Sequence, residues 1–328
     1  MSKIRGHRFG LMFIFMLVGL SGGAGPSAAM GPAADSPLYA PADRIGTIMD
    51  AEICEASGMA ASLRTDDLLW LINDSGNPAD LFAVGHDGQT RAKFTIADVP
   101  NCDWEDLASF SLNQTPYLLI ADIGDNLAGR GRCSLFVVKE PILSEAPETP
   151  KRALPVEWSI YFTYPTGPRD CEAVAVDVQG QRILLLSKRD RPPLLFELPL
   201  KPSPQNDSPV LAAAIGPMTT IPPPTAEDLQ RPYGFSWSRP TAMDLSADGR
   251  RLVVLTYKHA YAFTRSPGQA WGNVIQTPPT VILLPHPDTG LLPIREALCL
   301  HPQTGTLFVT GEKIPAPVFR LAPLREPR

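Results

Sequence analysis

The chain has 328 residues, with 29 Lys+Arg against 34 Asp+Glu, a formal charge of −5, 36 Pro, 25 Gly and five Cys. No long basic run occurs, so the electrostatic footprint of a nucleic-acid binder is absent. Proline at about one residue in nine, roughly double the usual share, is hostile to long helices, because each proline deletes an amide donor and clashes with the preceding turn. Apolar runs recur between the prolines as far as the C-terminus, which excludes a disordered tract and leaves an ordered strand-and-turn protein.

Residues 1–8 carry Lys3, Arg5 and Arg8 and no acid, and Phe9 to Leu20 is apolar apart from Gly10 and Gly19. Ser27 and Ala29 then stand at the −3 and −1 positions of a cleavage before Met30, the pattern of a secretory signal peptide over 1–29. Twelve residues fall short of the ~20 needed to cross a hydrocarbon core. No second stretch of that length follows, so the mature protein is expected to be secreted or periplasmic without a membrane span. Cleavage removes three positive charges and no negative ones, taking the formal charge from −5 to −8.

After a linker over 30–44, a single domain is expected over 45–328. Its first strand-like segment is Ile45 to Met49. Five similar units follow, each opening on a short motif: Glu55-Ala-Ser-Gly-Met-Ala, Glu105-Asp-Leu-Ala-Ser-Phe, Glu172-Ala-Val-Ala-Val-Asp, Thr241-Ala-Met-Asp-Leu-Ser and Glu296-Ala-Leu-Cys-Leu-His, with starts 50, 67, 69 and 55 residues apart. A turn and an apolar second strand come next in each unit, at Leu68 to Ile72, Tyr117 to Ile120, Ile183 to Leu186, Leu252 to Leu255 and Thr306 to Val309. Third strands are expected at Asp80 to Val84, Ser134 to Val138, Leu194 to Leu198, Ala260 to Phe263 and Val318 to Leu321. Fourth strands are expected only in the first four units, at Ala92 to Ile96, Val156 to Tyr161, Leu211 to Ile215 and Val281 to Leu284.

Repeats of this kind mean an all-β β-propeller of five blades. The partnerless Ile45 to Met49 supplies the strand that the fifth unit lacks, so that the two termini share one blade and no open sheet edge remains. A six-bladed propeller, with a degenerate blade in the Pro-rich 201–240 stretch, and a β-sandwich are the alternatives.

In a propeller the start of the first strand and the end of the second meet at one mouth of the central channel. Two rings of side chains are therefore expected there: Glu55, Glu105, Glu172, Thr241 and Glu296 inside, and Asp74, Asp122, Lys188, Tyr257 and Glu312 outside. Four glutamates round a narrow channel raise one another's pKa, and desolvation adds to the effect. A hard cation relieves the conflict, and carboxylates, Asn and carbonyls are calcium's ligands. Glu55, Glu105, Glu172, Glu296, Asp74, Asp122, Asp125 and Asn126 are thus the expected calcium ligands, the last two from the turn Ala121-Asp-Ile-Gly-Asp-Asn126. Capping of strands and turns is the competing use of such acids.

Lys188 and Arg130 are candidate counter-ions or contacts to an anionic ligand, and Trp104 and Tyr257 candidate ligand walls, although packing between blades is the commoner use of Trp. His259 is the one histidine placed to serve as a base, and Glu105 and Glu172 are the other catalytic candidates. Among the five cysteines an odd thiol must stay unpaired; a Cys102–Cys133 disulfide is expected to bracket the acidic loop.

The segments Glu55-Ala-Ser-Gly-Met, Trp70-Leu-Ile-Asn-Asp-Ser-Gly76, Asp103-Trp-Glu-Asp-Leu-Ala108, Ala121 to Asn126 and Glu140-Pro141, and more weakly Asp170-Cys-Glu-Ala173 and Thr256-Tyr257, resemble an uncharacterised family of secreted bacterial β-propellers. More distantly, the architecture is similar to that of calcium-dependent propeller hydrolases of the phytase and gluconolactonase types. That resemblance implies acidic channel residues holding a calcium that activates substrate and water. Thr241 interrupts the acid ring, however, and none of the histidines takes the place of a lactonase histidine. Two functions therefore stand side by side. One is a calcium-binding propeller that grips a small-molecule, cell-envelope or protein ligand; the other is a calcium-dependent hydrolase of phosphoester, ester or lactone bonds.

Overall fold

The computed structural model describes residues 38–143, 153–202, 208–285 and 294–324. The signal peptide expected over 1–29 and the linker as far as residue 37 lie outside them. Strand β1 (Asp43–Ile48) comes first. Sheet one is β2 (Ala56–Ala61), β3 (Leu68–Asn73), β4 (Asp80–Gly85) and β5 (Thr90–Thr95), and sheet two is β6 (Trp104–Leu112), β7 (Thr115–Asp122), β8 (Cys133–Lys139) and β9 (Val156–Thr163). In sheet three, β10 (Cys171–Asp177), β11 (Arg182–Ser187) and β12 (Leu194–Pro199) are followed by β14 (Ala213–Pro217), while the short β13 (Val210–Leu211) runs parallel to β9 of sheet two. Sheet four holds β15 (Pro240–Leu245), β16 (Arg251–Thr256), β17 (Ala260–Thr264) and β18 (Thr280–Ile282). The last is β19 (Arg295–Leu300), β20 (Leu307–Gly311) and β21 (Ala316–Leu321), with β1 lying antiparallel on β21 from Asp43↔Arg320 to Ile48↔Ala316.

These are five blades of a β-propeller. Within the described part of the Pro-rich 201–240 stretch there are only β13, β14 and two short 3-10 turns, at Asp228–Gln230 and Gly234–Ser236, so no sixth blade forms there. The inner strands neighbour one another in a ring, β2 against β6, β6 against β10, β10 against β15, β15 against β19, and β19 against β2. One apolar core fills each of the five interfaces. Sheets covered on both faces need continuous apolar strands rather than alternating ones. Leu68 to Asn73 is accordingly buried throughout, whereas the outer strand β9 turns Glu157 and Tyr161 to solvent. Among the described residues no helix is long and apolar enough to cross a membrane.

Each inner strand leaves one edge unpaired towards the axis, and buried amides there need acceptors. Two carboxylates provide them. Asp106 accepts from the amides of Leu107 (2.9 Å), Val174 (2.7 Å) and Met243 (3.2 Å), joining blades two, three and four. Asp244 accepts from Leu245 (2.7 Å) and Leu300 (2.8 Å), joining blades four and five. Between blades one and two, the Ser57 hydroxyl donates to the Trp104 carbonyl at 2.7 Å. There β2 comes so near β6 that a Cβ on Gly58 would lie 2.7 Å from the Asp106 carbonyl carbon. A side chain at position 58 would push the two blades apart.

Candidate functional site

All five inner strands carry a register shift at the same place, between Ala56 and Gly58, Trp104 and Asp106, Cys171 and Ala173, Pro240 and Ala242, and Arg295 and Ala297. The bulged residues are Ser57, Glu105, Glu172, Thr241 and Glu296. A bulge leaves its residue unpaired and re-aims the side chain, which is how glutamate comes to stand in an inner strand. Glu55 therefore does not belong to the inner ring. It lies two residues earlier and exposed, taking Asn77 Nδ2 on Oε2 at 2.8 Å, and Ser57 holds the ring position.

The same register moves Asp122 out of the outer ring. Asp122 pairs with Trp104 as Asn73 does with Ala56, so Ile123 is the true counterpart of Asp74, Lys188, Tyr257 and Glu312. Two further acids enter instead. Asp103 and Asp170 each precede a bulged glutamate by two residues, in Asp103-Trp-Glu105 and Asp170-Cys-Glu172.

Carboxylate oxygens of Asp74, Asp103 and Glu105 all lie within 4.8 Å of one another, and so do those of Glu105, Asp170 and Glu172. Glu105 belongs to both groups. The two differ in their cations. Lys188 Nζ lies 2.7 Å from Glu172 and 3.8 Å from Glu296, and Arg189 pairs with Asp170. Among the described residues, no basic side chain forms an ion pair with Asp74, Asp103 or Glu105. Tyr257 completes the wall, its hydroxyl donating to Glu296 at 2.7 Å and its ring lying 5.4 Å from the Lys188 ammonium.

Burial dominates the acid–base character of the mouth. It pushes Glu105 well above the usual carboxylate range, the Glu172 and Asp74 charges push further, and the Lys188 ammonium pulls back only in part. Burial also raises Glu172 to about 7 against the pull of Lys188, and raises Glu296 well above its ordinary value. Asp74 rises to about 6, by burial and by the Asp103 and Glu312 charges, against the pull of the Ser75 amide. Glu105 and Glu172 face each other with carboxylate oxygens within 4.8 Å, as do Asp74 and Asp103. The mouth is thus a chain of buried carboxyl groups pushed towards their protonated forms, with Lys188 held firmly cationic on one side.

The remaining sequence candidates are placed elsewhere. Asp122 pairs with Arg130 at 2.8 Å and accepts the Asp103 amide. Asp125 accepts the Gly129 and Arg130 amides, a turn-capping role, and Asn126 is held by Arg189. Trp104 is fully buried in the core between blades one and two, its Nε1 donating to the Pro100 carbonyl at 3.1 Å. His259 lies in the turn from β16 to β17 and belongs to neither carboxylate group.

All five cysteines are free thiols, so the expected Cys102–Cys133 disulfide is not formed. Cys102 precedes β6 and Cys133 opens β8, with β7 between them. Two strand spacings separate their backbones by roughly 10 Å, beyond the span of a disulfide.

Gly124 explains how Glu105 and Asp103 come together. A Cβ at position 124 would lie 2.1 Å from Glu105 Oε1 and 2.5 Å from the Asp103 carboxyl carbon. The Gly124→Ala variant is expected to displace both carboxylates and to weaken any cation held by them, with a loss of about 1–3 kcal/mol in stability from overpacking. Thermal unfolding with and without added calcium reads both effects.

No family model matches the chain, and no curated protein matches it. Among solved structures, it is similar to a glutaminyl cyclase from Myxococcus xanthus, with a TM-score of 0.47 and 11% identity over 88% of this chain and 100% of that one. It is similar also to the PQQ-bound aldose sugar dehydrogenase of Streptomyces coelicolor, with a TM-score of 0.42 and 10% identity over 87% of this chain and 99% of that one. At these values the likenesses carry no argument about chemistry, and the chain itself is a five-bladed β-propeller.

Proposed function

We propose that this is a secreted or periplasmic propeller that binds calcium through Asp74, Asp103 and Glu105 at the mouth of its channel, and that the site receives a ligand there. The carrying observation is the convergence of three carboxylates with no basic side chain paired to them among the described residues. The donors are all oxygens, as a hard cation requires, and three carboxylates with waters meet calcium's demand for six to eight ligands. At the bulge of blade four, the buried Thr241 hydroxyl has no hydrogen-bond partner among the described residues. The signal-peptide pattern of residues 1–29 supports export, and affinities of ~10⁻⁴–10⁻³ M suffice for extracellular calcium modules.

Calcium added to chelator-treated protein is expected to raise the melting temperature. At 100 times the Kd, mass action adds about 2.7 kcal/mol, or roughly 4–5 °C for a domain of this size. Glu105→Gln should remove the effect. Because Asp74 and Glu105 must lose protons to bind the ion, the shift should be larger at pH 8 than at pH 5. A melting temperature indifferent to millimolar calcium at pH 8 overturns the site.

One observation favours the hydrolase as a second reading. Burial raises the Glu172 carboxyl to about 7, beside Glu105, where it could exchange a proton with a reacting group at physiological pH. A bound calcium would supply electrostatic stabilisation of developing negative charge. Glu172 would hold or take up the proton, with Lys188 orienting it. Turnover of a phosphomonoester, ester or lactone panel that disappears in Glu172→Gln would favour this reading, and an inactive panel would leave the binding protein.

A further inference from the structure

The turn from β11 to β12 delivers three cations to the mouth within four residues, Lys188, Arg189 and Arg191. Lys188 and Arg189 are taken up by Glu172 and Asp170. Arg191 instead reaches across to the segment before β15, where its Nη2 donates to the Phe235 carbonyl at 3.2 Å. Arg239 lies over the Phe235 ring at 5.5 Å, so the two guanidinium groups converge on one residue. The segment is pinned over the mouth by its neighbours, since Lys258 donates from its amide to the Trp237 carbonyl at 3.1 Å and from Nζ to Asp228 at 2.6 Å.

Arg239 also occupies a telling register position. It stands two residues before the bulged Thr241, where blades two and three place Asp103 and Asp170 before Glu105 and Glu172. The ring at that level therefore changes sign in blade four. Among the described residues neither Arg191 nor Arg239 forms an ion pair, and the buried Nε of Arg239 has no hydrogen-bond partner. Burial, then the Arg189 and Arg191 charges, hold Arg239 below its ordinary value, a cost that an anion would relieve.

We propose that Arg191 and Arg239, flanked by Arg189, form an anion subsite beside the carboxylates that takes a doubly charged tetrahedral oxyanion, the phosphate group of a small phosphorylated ligand. Two guanidinium forks without acids match a dianion in charge and in hydrogen-bond geometry. Phe235, half exposed, offers the adjoining ring face for the organic part of the ligand. The subsite deepens the ligand-binding reading above and rests on it for the place of the ligand, but not on the calcium ion.

The test is calorimetric titration of inorganic phosphate into the whole protein, in chelator and in calcium, with acetate as a second probe. Phosphate is expected to bind in both conditions and more tightly than acetate. Arg239→Ala and the exposed Arg191→Ala should each weaken it roughly tenfold or more, with the calcium-induced melting shift unchanged. Glu105→Gln should remove the calcium shift and leave phosphate binding in chelator intact, so failure of the metal site and failure of the subsite are separate results. Phosphate affinities within about twofold of the parent in both arginine variants, no binding at millimolar phosphate, or acetate binding as tightly as phosphate would each overturn the proposal.

Discussion

Asp106→Ala is expected to lower the free energy of unfolding by roughly 3–5 kcal/mol. Its carboxylate satisfies the amides of Leu107, Val174 and Met243, which belong to three different blades. Each buried amide left without an acceptor costs about 1–3 kcal/mol. Part of the penalty is offset because Asp106 is itself unfavourable there: burial pushes its carboxyl well above the usual range, against the pull of all three amides. Asp106→Asn keeps the shape and one acceptor oxygen and should lose less than half as much. The same residue bears on the mouth, since it follows Glu105 directly and fixes β10, whose bulge carries Glu172. The alanine variant should therefore also weaken the calcium-induced melting shift. Denaturant unfolding of the three proteins checks the first claim. A loss below about 1 kcal/mol would mean that the five apolar interfaces alone hold the blades in register.

Much of the blade architecture was legible because each structural device repeats in the sequence. Apolar second strands such as Leu68 to Ile72 and Ile183 to Leu186 are bounded by turn residues, and their burial on both faces makes them continuous rather than alternating. The strand over Ile45 to Met49 was legible by its lack of a partner; in the fold it is Asp43–Ile48, paired with β21.

The site was less legible, because no residue type marks where a bulge shifts the register. Glu55-Ala56 imitates Glu172-Ala173 and Glu296-Ala297, yet Ser57 is the bulged residue. The irregular spacing of 19 residues from Glu55 to Asp74, against 16 in three other blades, carried that signal. In blade two, a hairpin turned by Asn113 and Gln114, both at positive φ, lengthens β6 and β7 and moves Asp122 one place out of the ring. The missed ligands Asp103 and Asp170 had a signal of their own, the Asp-x-Glu that opens both blades. The arginine pair had none, because Arg191 and Arg239 lie 48 residues apart in the sequence and meet only through Phe235.

A large pH effect is expected from Asp244, at the far end of the axis from the carboxylate mouth. Asp244 lines a cavity of about 260 Å³ together with Ser109, Gln179 and Ser246. Burial raises its carboxyl from 3.8 to about 7, although the Leu300 and Leu245 amides pull the other way. A carboxyl raised on folding contributes stability that is complete below its unfolded pKa and lost as the pH climbs through the folded value. The window is therefore about pH 4 to 7, and each pKa unit corresponds to about 1.4 kcal/mol, so the loss from this one group is roughly 4 kcal/mol. Asp244→Asn cannot titrate. Its stability relative to the parent should rise by that amount between pH 4 and pH 8, whatever its offset at pH 4. Glu172 and Asp74, also raised, contribute to the pH dependence of both proteins with the same sign and cancel in the difference. Denaturant unfolding of the pair in chelator at the two pH values measures that difference directly. A difference that stays flat across the window would show that Asp244 titrates alike in the folded and unfolded chains, its burial in the cavity costing its charge nothing.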